Sequence, residues 1–549
     1  MQSVYDSKDS NNISMKNFKI LFAFLMASLV AMPSCTDYLN INDDPNNPID
    51  AEVNNLVPFS LATVFGSLGM GKAGISELVS VYAGHTVQRG NHDDYKITEN
   101  EFSLTQCWEK LYAVVLPDLD VTIKKAAATN SWSYVGISKL LKVQLFSSIV
   151  DIWGDMPYFD AGKGAEVTFP KYDDDKLIYK DLFRLGVEAL ADLDKPSTRN
   201  PGTDDLVYKG DLNKWKKYGR SLLLNMYNKV RMTDLYDAAK VSELIKSSLI
   251  SGTSEDFELA YTTSITPENR NPGFTREYAE GDPSFYISPY FYLIMKGDTA
   301  AQNSLMVGIR DPRIPYFFYN QLGPNEQAEN PVSYLDGRFL SIWFASYDKD
   351  PNEGFDQGKS QTLVGLWPVG GAYDNGSGVN GDFTSGLKGA GASRILTTAD
   401  IHFIRAELGL TKNTGDNPKS FLESGIKASM AKINAVARLA GAPVIPDADI
   451  TAYITKVLAV YDKGEENKKL EVIMTQKWIH EFGNGLEAYN DIRRTGYPLV
   501  CDPSKDPNPY SEQTRPYPVT LPYDGDDLST NPNAKQHNQY TDKVFWDVN

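Results

Sequence analysis

Three sets of residues in this chain have types and spacings that could do chemistry. The first is a single thiol. Cys35 follows Met15-Lys16-Asn17-Phe18-Lys19, an apolar run from Ile20 to Met32, and Pro33-Ser34. A basic start, a short apolar stretch and a small residue before the cut form a secretory signal. Cleavage just before a cysteine exposes its thiol and amine to acylation, and several acyl chains together hold a folded body to a membrane. The apolar run falls well short of the ~20 residues that a spanning helix needs. Met15, rather than Met1, then reads as the start. The other two of the three cysteines, Cys107 and Cys501, match neither a disulfide framework nor zinc-ligand spacing and read as ordinary small side chains.

The second set suits hydroxyl-rich ligands. The loop from Tyr82 to Tyr95 carries Gln88, Arg89, Asn91, His92, Asp93 and Tyr95. Amides, opposite charges and an aromatic ring close together can bond hydroxyls beside a stacking face. A later Gly- and Pro-rich stretch adds Tyr286, Tyr290, Trp343, Tyr347, Trp367 and Tyr373. Among the chain's 31 Tyr, any unplaced ring is as readily explained by core packing. Trp343 and Trp367 stand apart, because an aromatic in a Gly-rich loop has no evident helical face to bury. Oligosaccharide held by stacking and peptide held through backbone bonds and pockets both stay open. A purely structural surface protein, the third alternative, predicts no saturable ligand.

The third set is hydrolytic. Glu481 and Glu487 offer the two carboxylates that a glycoside hydrolase needs, which makes hydrolysis the weakest of the alternatives. Other catalytic patterns fail on spacing. Gly354 to Ser360 places three residues between its glycines where a phosphate loop has four. His480-Glu481 lacks a zincin's second histidine, and no Gly-x-Ser-x-Gly elbow occurs. With five His in 549 residues there is little material for imidazole catalysis. No metal or cofactor motif is found, and no Asp-rich loop has EF-hand spacing. A formal net charge of -17 without a sustained basic stretch argues against nucleic acid.

These residues need a scaffold. After Cys35, residues up to about 50 are polar, acidic and turn-rich, and read as a tether. The body, residues 51–549, begins with helical patterns. Ile178, Leu182, Leu185, Ala189 and Leu193 recur at spacings of three and four. Lys139 to Trp153 does the same and is stopped by Gly154. Further helices are predicted over Trp108–Ala126, Lys214–Met232, Ala399–Leu410, Ser420–Arg438 and Leu470–Phe482. Residues 252–393 form a long loop-rich insertion on the ligand side, with a strand-like piece at Arg338–Phe344. So many aromatics argue against disorder there. The tail from Cys501 is predicted to wrap the body without regular structure. Paired amphipathic helices without a long apolar run suit a helical-hairpin solenoid.

Several phrases, in order, resemble the SusD/RagB family of nutrient-binding lipoproteins, particularly its second SusD-like branch. They are Gly136-Ile137-Ser138-Lys139 running to Asp151-Ile152-Trp153-Gly154-Asp155-Met156-Pro157-Tyr158; Gly210-Asp211-Leu212-Asn213-Lys214-Trp215; and Asp311-Pro312-Arg313-Ile314-Pro315-Tyr316-Phe317. Thr397-Thr398-Ala399-Asp400 leads to Ala406-Glu407, with Asp400 where the family favours Glu. Arg493-Arg494-Thr495-Gly496-Tyr497-Pro498 is the most specific. In these phrases Trp153, Trp215 and Trp478 read as core, Asp155 as a turn cap, and Arg493 and Arg494 as binders of carbonyls or a carboxylate. They identify a scaffold and leave the binding site unmarked. The resemblance implies a mainly α fold, a tetratricopeptide-like helical-hairpin superhelix. It also implies a surface-exposed outer-membrane lipoprotein that passes a glycan, or in one branch a peptide, to a TonB-dependent (SusC-like) transporter.

Overall fold

The helical periodicities become two blocks of stacked hairpins. In the computed structural model, residues 52–88, 97–279, 285–326, 338–343, 358–378, 386–500 and 517–549 are described. Cys35 and the tether lie outside them, as do Arg89, Asn91, His92, Asp93, Tyr95 and Tyr347. The first block runs α1 (Val53–Leu68), α2 (Ile75–Tyr82), α3 (Phe102–Glu109), α4 (Leu116–Ala128), α5 (Trp132–Trp153), α6 (Asp175–Leu193), α7 (Leu212–Lys229) and α8 (Ala238–Lys246). Helices α4 to α7 pack successively on one another. In the second block, α10 (Thr398–Thr411), which follows α9 (Pro289–Lys296), pairs with α11 (Pro418–Leu439). Beside them stack α12 (Asp447–Lys463) and α13 (Glu466–His480), and α14 (Gly485–Thr495) returns onto α2.

Local chemistry sets these boundaries. Asp174 caps α6 by accepting from Leu177 N, Asp211 caps α7 from Asn213 N and Lys214 N, and Thr397 with Asp400 forms a capping box on α10. Helix α5 is buried on almost every side, and Gly136 allows α6 to approach it. A Cβ there would sit 2.6 Å from Leu193 Cγ and 2.8 Å from Ala189 O. Trp153, Trp215 and Trp478 are all buried. Asp155 accepts from Asp175 N at 2.9 Å, at the start of α6.

Some boundaries differ from the sequence prediction. The single helix expected over Trp108–Ala126 is divided by a wide turn, Lys110–Val115, before α4. Pro117 supplies no N–H to the helical ladder there, so an uninterrupted register is unavailable. Helix α7 ends at Lys229, short of Met232. Helix α12 was not anticipated, because only Tyr453, Ile454, Val457 and Tyr461 on it are buried. The described part of the expected strand, Arg338–Trp343, is irregular. It is held instead by Thr362, whose N donates to Leu340 O and whose Oγ1 accepts from Leu340 N, both at 2.9 Å.

Strands between the blocks form two-stranded antiparallel ribbons: β1 (Thr86–Gln88) with β3 (Phe285–Ile287), β2 (Phe257–Leu259) with β6 (Ser393–Leu396), and β4 (Phe318–Asn320) with β5 (Thr362–Val364). Residues 517–549 wrap the body, with one short helix at Gly525–Thr530. Trp153 Nε1 donates to Pro522 O at 2.9 Å, and Trp546 Nε1 to Asp151 at 2.8 Å.

A buried ionic lattice lies beneath α14. Lys229 Nζ is 2.7 Å from both Asp151 and Glu487. Arg494 meets Asp491 and Glu407, each at 2.8 Å, and Lys477 meets Asp491 at 2.6 Å and Glu481 at 3.1 Å. Arg493 donates to the carbonyls of Val519 and Asp151, both at 2.6 Å. Burial alone would raise the Glu407 carboxyl, but Arg231 and Arg494 hold it down at about 2. Among the described residues no helix is long and apolar enough to cross a membrane.

Candidate functional site

Helix α9 contributes to two places, through Tyr290 at one and Tyr292 at the other. At the first is the β1–β3 ribbon, in which Thr86 faces Ile287, Val87 faces Tyr286 and Gln88 faces Phe285. The chain therefore leaves β1 at Gln88 and enters β3 at Phe285 on the same rung, so the two loop regions singled out in the sequence share a root. Tyr286 itself is buried against Val87's side of the ribbon and offers no face to solvent. Trp343 joins this neighbourhood. Its ring meets Tyr290 edge-on at 5.4 Å, and Ser341 Oγ donates to Ile287 O at 2.7 Å. Trp343 is half-buried, whereas Tyr290 is 2 % exposed.

Trp367 corrects an expectation. It is 3 % exposed, and the Arg394 guanidinium lies 4.3 Å from its ring. Its amide donates to Tyr316 O at 2.9 Å, fastening the segment after β5 along the chain before β4. A loop aromatic without a helical face has found one between elements, and a cation covers it. Trp367 and Tyr290 are thus packing residues here, while Trp343 and Tyr373 keep an open side.

The second place is an open cleft of about 720 Å³. Its walls come from distant segments: Tyr292 on α9, Arg310 to Tyr316, Arg338-Phe339, Tyr373-Asp374, and the start of α12 with Pro443 to Pro446 before it. Tyr316 and Tyr373 stand 4.9 Å apart, tilted by 59°. Tyr316 is fixed by donating its hydroxyl to Pro443 O at 2.6 Å. Tyr292 stacks on Phe339 at 4.0 Å. Half-buried Tyr373 is the predicted residue that this cleft contains. Its phenol is raised by burial and then by Asp374, and so stays a neutral hydroxyl.

The polar groups are sorted by pairing. Asp374 accepts from Asn320 at 2.7 Å and meets Arg338 at 3.2 Å. Asp311 and Arg313 form a fully buried pair at 2.5 Å. Burial works against the Arg313 charge, but Asp311 and the Tyr453 hydroxyl more than offset it. Arg310, Asp449 and Lys456 are exposed on the cleft. The sequence reading missed all three, together with Tyr316. Its one available signal was the phrase Asp311 to Phe317, read there only as scaffold.

This arrangement can hold a polar ligand against aromatic faces. It does not offer a hydrolytic pair, since two of the three cleft carboxylates are engaged by arginines. Glu481 and Glu487 lie buried in the lattice with Lys477 and Lys229 and do not line the cleft. Among the described residues no group of three or more His, Cys, Asp or Glu is placed to hold a metal ion.

A family model named SusD-like, described as "Starch-binding associating with outer membrane", matches residues 70–523. No curated protein matches the chain. Among solved structures, a SusD homologue from Bacteroides fragilis superposes with a TM-score of 0.66 at 17% identity, covering 91% of this chain and 99% of that one. A chitin-binding SusD homologue from Flavobacterium johnsoniae does so at 0.65 and 18%, covering 90% and 99%. A SusD/RagB family protein from Bacteroides thetaiotaomicron gives 0.68 and 17%, covering 91% and 99%.

Proposed function

The chain belongs to the SusD-like family that matches it over residues 70–523, and from that premise we propose that it captures a glycan at the cell surface for a TonB-dependent outer-membrane transporter, without doing chemistry on it. The observation that carries this reading is the open, tyrosine-sided cleft built from the loop-rich insertion and α12. Aromatic faces with a few fixed polar groups suit sugar rings, which present alternating apolar faces and hydroxyl edges. That a structural neighbour is a chitin-binding protein supports a glycan over other nutrients. Anchoring falls to Cys35, acylated after cleavage of the signal. The acidic tether up to residue 50 then spaces a single folded body, residues 51–549, from the membrane.

The test is a panel of soluble glycans and peptides, read by thermal shift and calorimetry on the purified protein. Saturable binding of a glycan, with no reducing ends released on long incubation, is the expected result. Binding of peptides alone would move the assignment to peptide uptake, and released product would make the protein an enzyme. Radiolabelled palmitate should enter the protein in cells and be lost in Cys35→Ser.

A further inference from the structure

We propose that the cleft selects acidic saccharides, those carrying carboxylate or sulfate groups, through Arg310 and Lys456. This rests on the glycan-capture reading and narrows it. The argument is one of unanswered charge. Of the cleft's ionic groups, Asp374 is met by Arg338 at 3.2 Å, and Asp311 by Arg313 at 2.5 Å. Asp449 sits in the first turn of α12, where the helix N-terminus favours a negative charge. Asp449 is nonetheless exposed and forms no ion pair among the described residues; against it stand two cations in the same state, Arg310 on one wall and Lys456 on α12, so positive charge is in excess among the unpaired groups. The whole chain carries a formal charge of -17. In so acidic a chain, a cleft whose unpaired groups carry an excess of positive charge runs against the overall sign.

Helix geometry makes the placement specific. Asp449, Tyr453 and Lys456 follow spacings of four and three, so one face of α12 turns to the cleft. The acidic substituent would meet Lys456 and Arg310, while a sugar ring lies against Tyr373. Charge-assisted bonds of this kind are about twice as strong as neutral ones, so a neutral sugar of equal length gains less from the same walls.

The experiment is calorimetry on the purified protein with oligogalacturonate, a sulfated oligosaccharide, neutral oligosaccharides of matched length, and oligoglutamate. The wild type should bind at least one acidic saccharide roughly tenfold tighter than its neutral counterpart. The double variant Arg310→Glu/Lys456→Glu should lose that preference, and Arg310→Lys/Lys456→Arg should retain most of it. Circular dichroism checks that both variants are folded. Neutral saccharides bound as tightly as acidic ones, or a preference that survives the charge reversal, would overturn this inference and leave glycan capture standing. Silence toward every saccharide, with or without binding of oligoglutamate, would remove both.

Discussion

Arg494 and Lys477 beneath α14 and Arg310 and Lys456 at the cleft are the same residue types in opposite situations. Under α14 each cation meets a carboxylate at bonding distance, and the groups are almost fully buried. At the cleft the two cations are exposed and, among the described residues, form no ion pair. A charge removed from water must be paired or it costs several kcal/mol, so the scaffold pairs both of these cations. An exposed charge costs little to leave open, and an open one is available to a ligand. The signature phrases that carry Asp151, Glu407 and Arg494 lie in the first region and specify the fold, whereas the phrase from Asp311 to Phe317 reaches the cleft.

Substitutions should separate the two regions cleanly. Lys229→Met leaves Asp151 and Glu487 buried without their shared cation, and should cost about 3–5 kcal/mol in chemical denaturation. A loss under about 1 kcal/mol would break the contrast. Trp367→Ala should also cost about 3–5 kcal/mol, since the ring is packed under Arg394. Trp343→Ala, half-buried, should cost well under half of that, and an equal loss would show that the two tryptophans were wrongly divided.

Acid sharpens the comparison further. His85 Nε2 donates to Trp478 O at 2.9 Å, the ring stacks on the Trp478 ring, and burial lowers its pKa to about 3. A histidine depressed in the folded state is neutral there and takes up a proton on unfolding. Its contribution is therefore complete above about pH 6.5 and is lost as pH falls toward 3. Wild-type stability should fall in that window by about 1.4 kcal/mol per pH unit from this one group. His85→Gln removes that slope, so a pH series of denaturation midpoints should show the variant's deficit shrinking in acid. A constant deficit would mean that His85 is not held neutral. The smallest effect is at the cleft: Tyr373→Ala should weaken glycan binding about three- to tenfold and leave the denaturation midpoint almost unmoved. Unchanged affinity would move the stacking face to Trp343.

How much of this could be read from the chain depends on how far apart the cooperating residues lie. The face Ile178, Leu182, Leu185, Ala189 and Leu193 was legible because one side of α6 is buried and its period lies within a single helix. The turn cap at Asp155 was likewise local. Helix α12 was harder, since a mostly solvated helix shows little apolar period. The cleft was mostly illegible, because Tyr373 meets Tyr316 and Lys456 only after three separate segments have folded together. Trp367 illustrates the converse. Nothing near it in sequence announces Arg394, so its burial could not be anticipated.

The three-rung pairing of Thr86–Gln88 with Phe285–Ile287 has a consequence for how such a protein can diversify. The ladder ends at Gln88 and Phe285, and the chain is held again at buried Ile97 on one side and at buried Tyr278 on the other. Two connections thus start from one fixed mount. Lengthening or exchanging either one alters what that face presents and leaves the helical hairpins in register. In engineering terms it is an interchangeable head on a constant chassis.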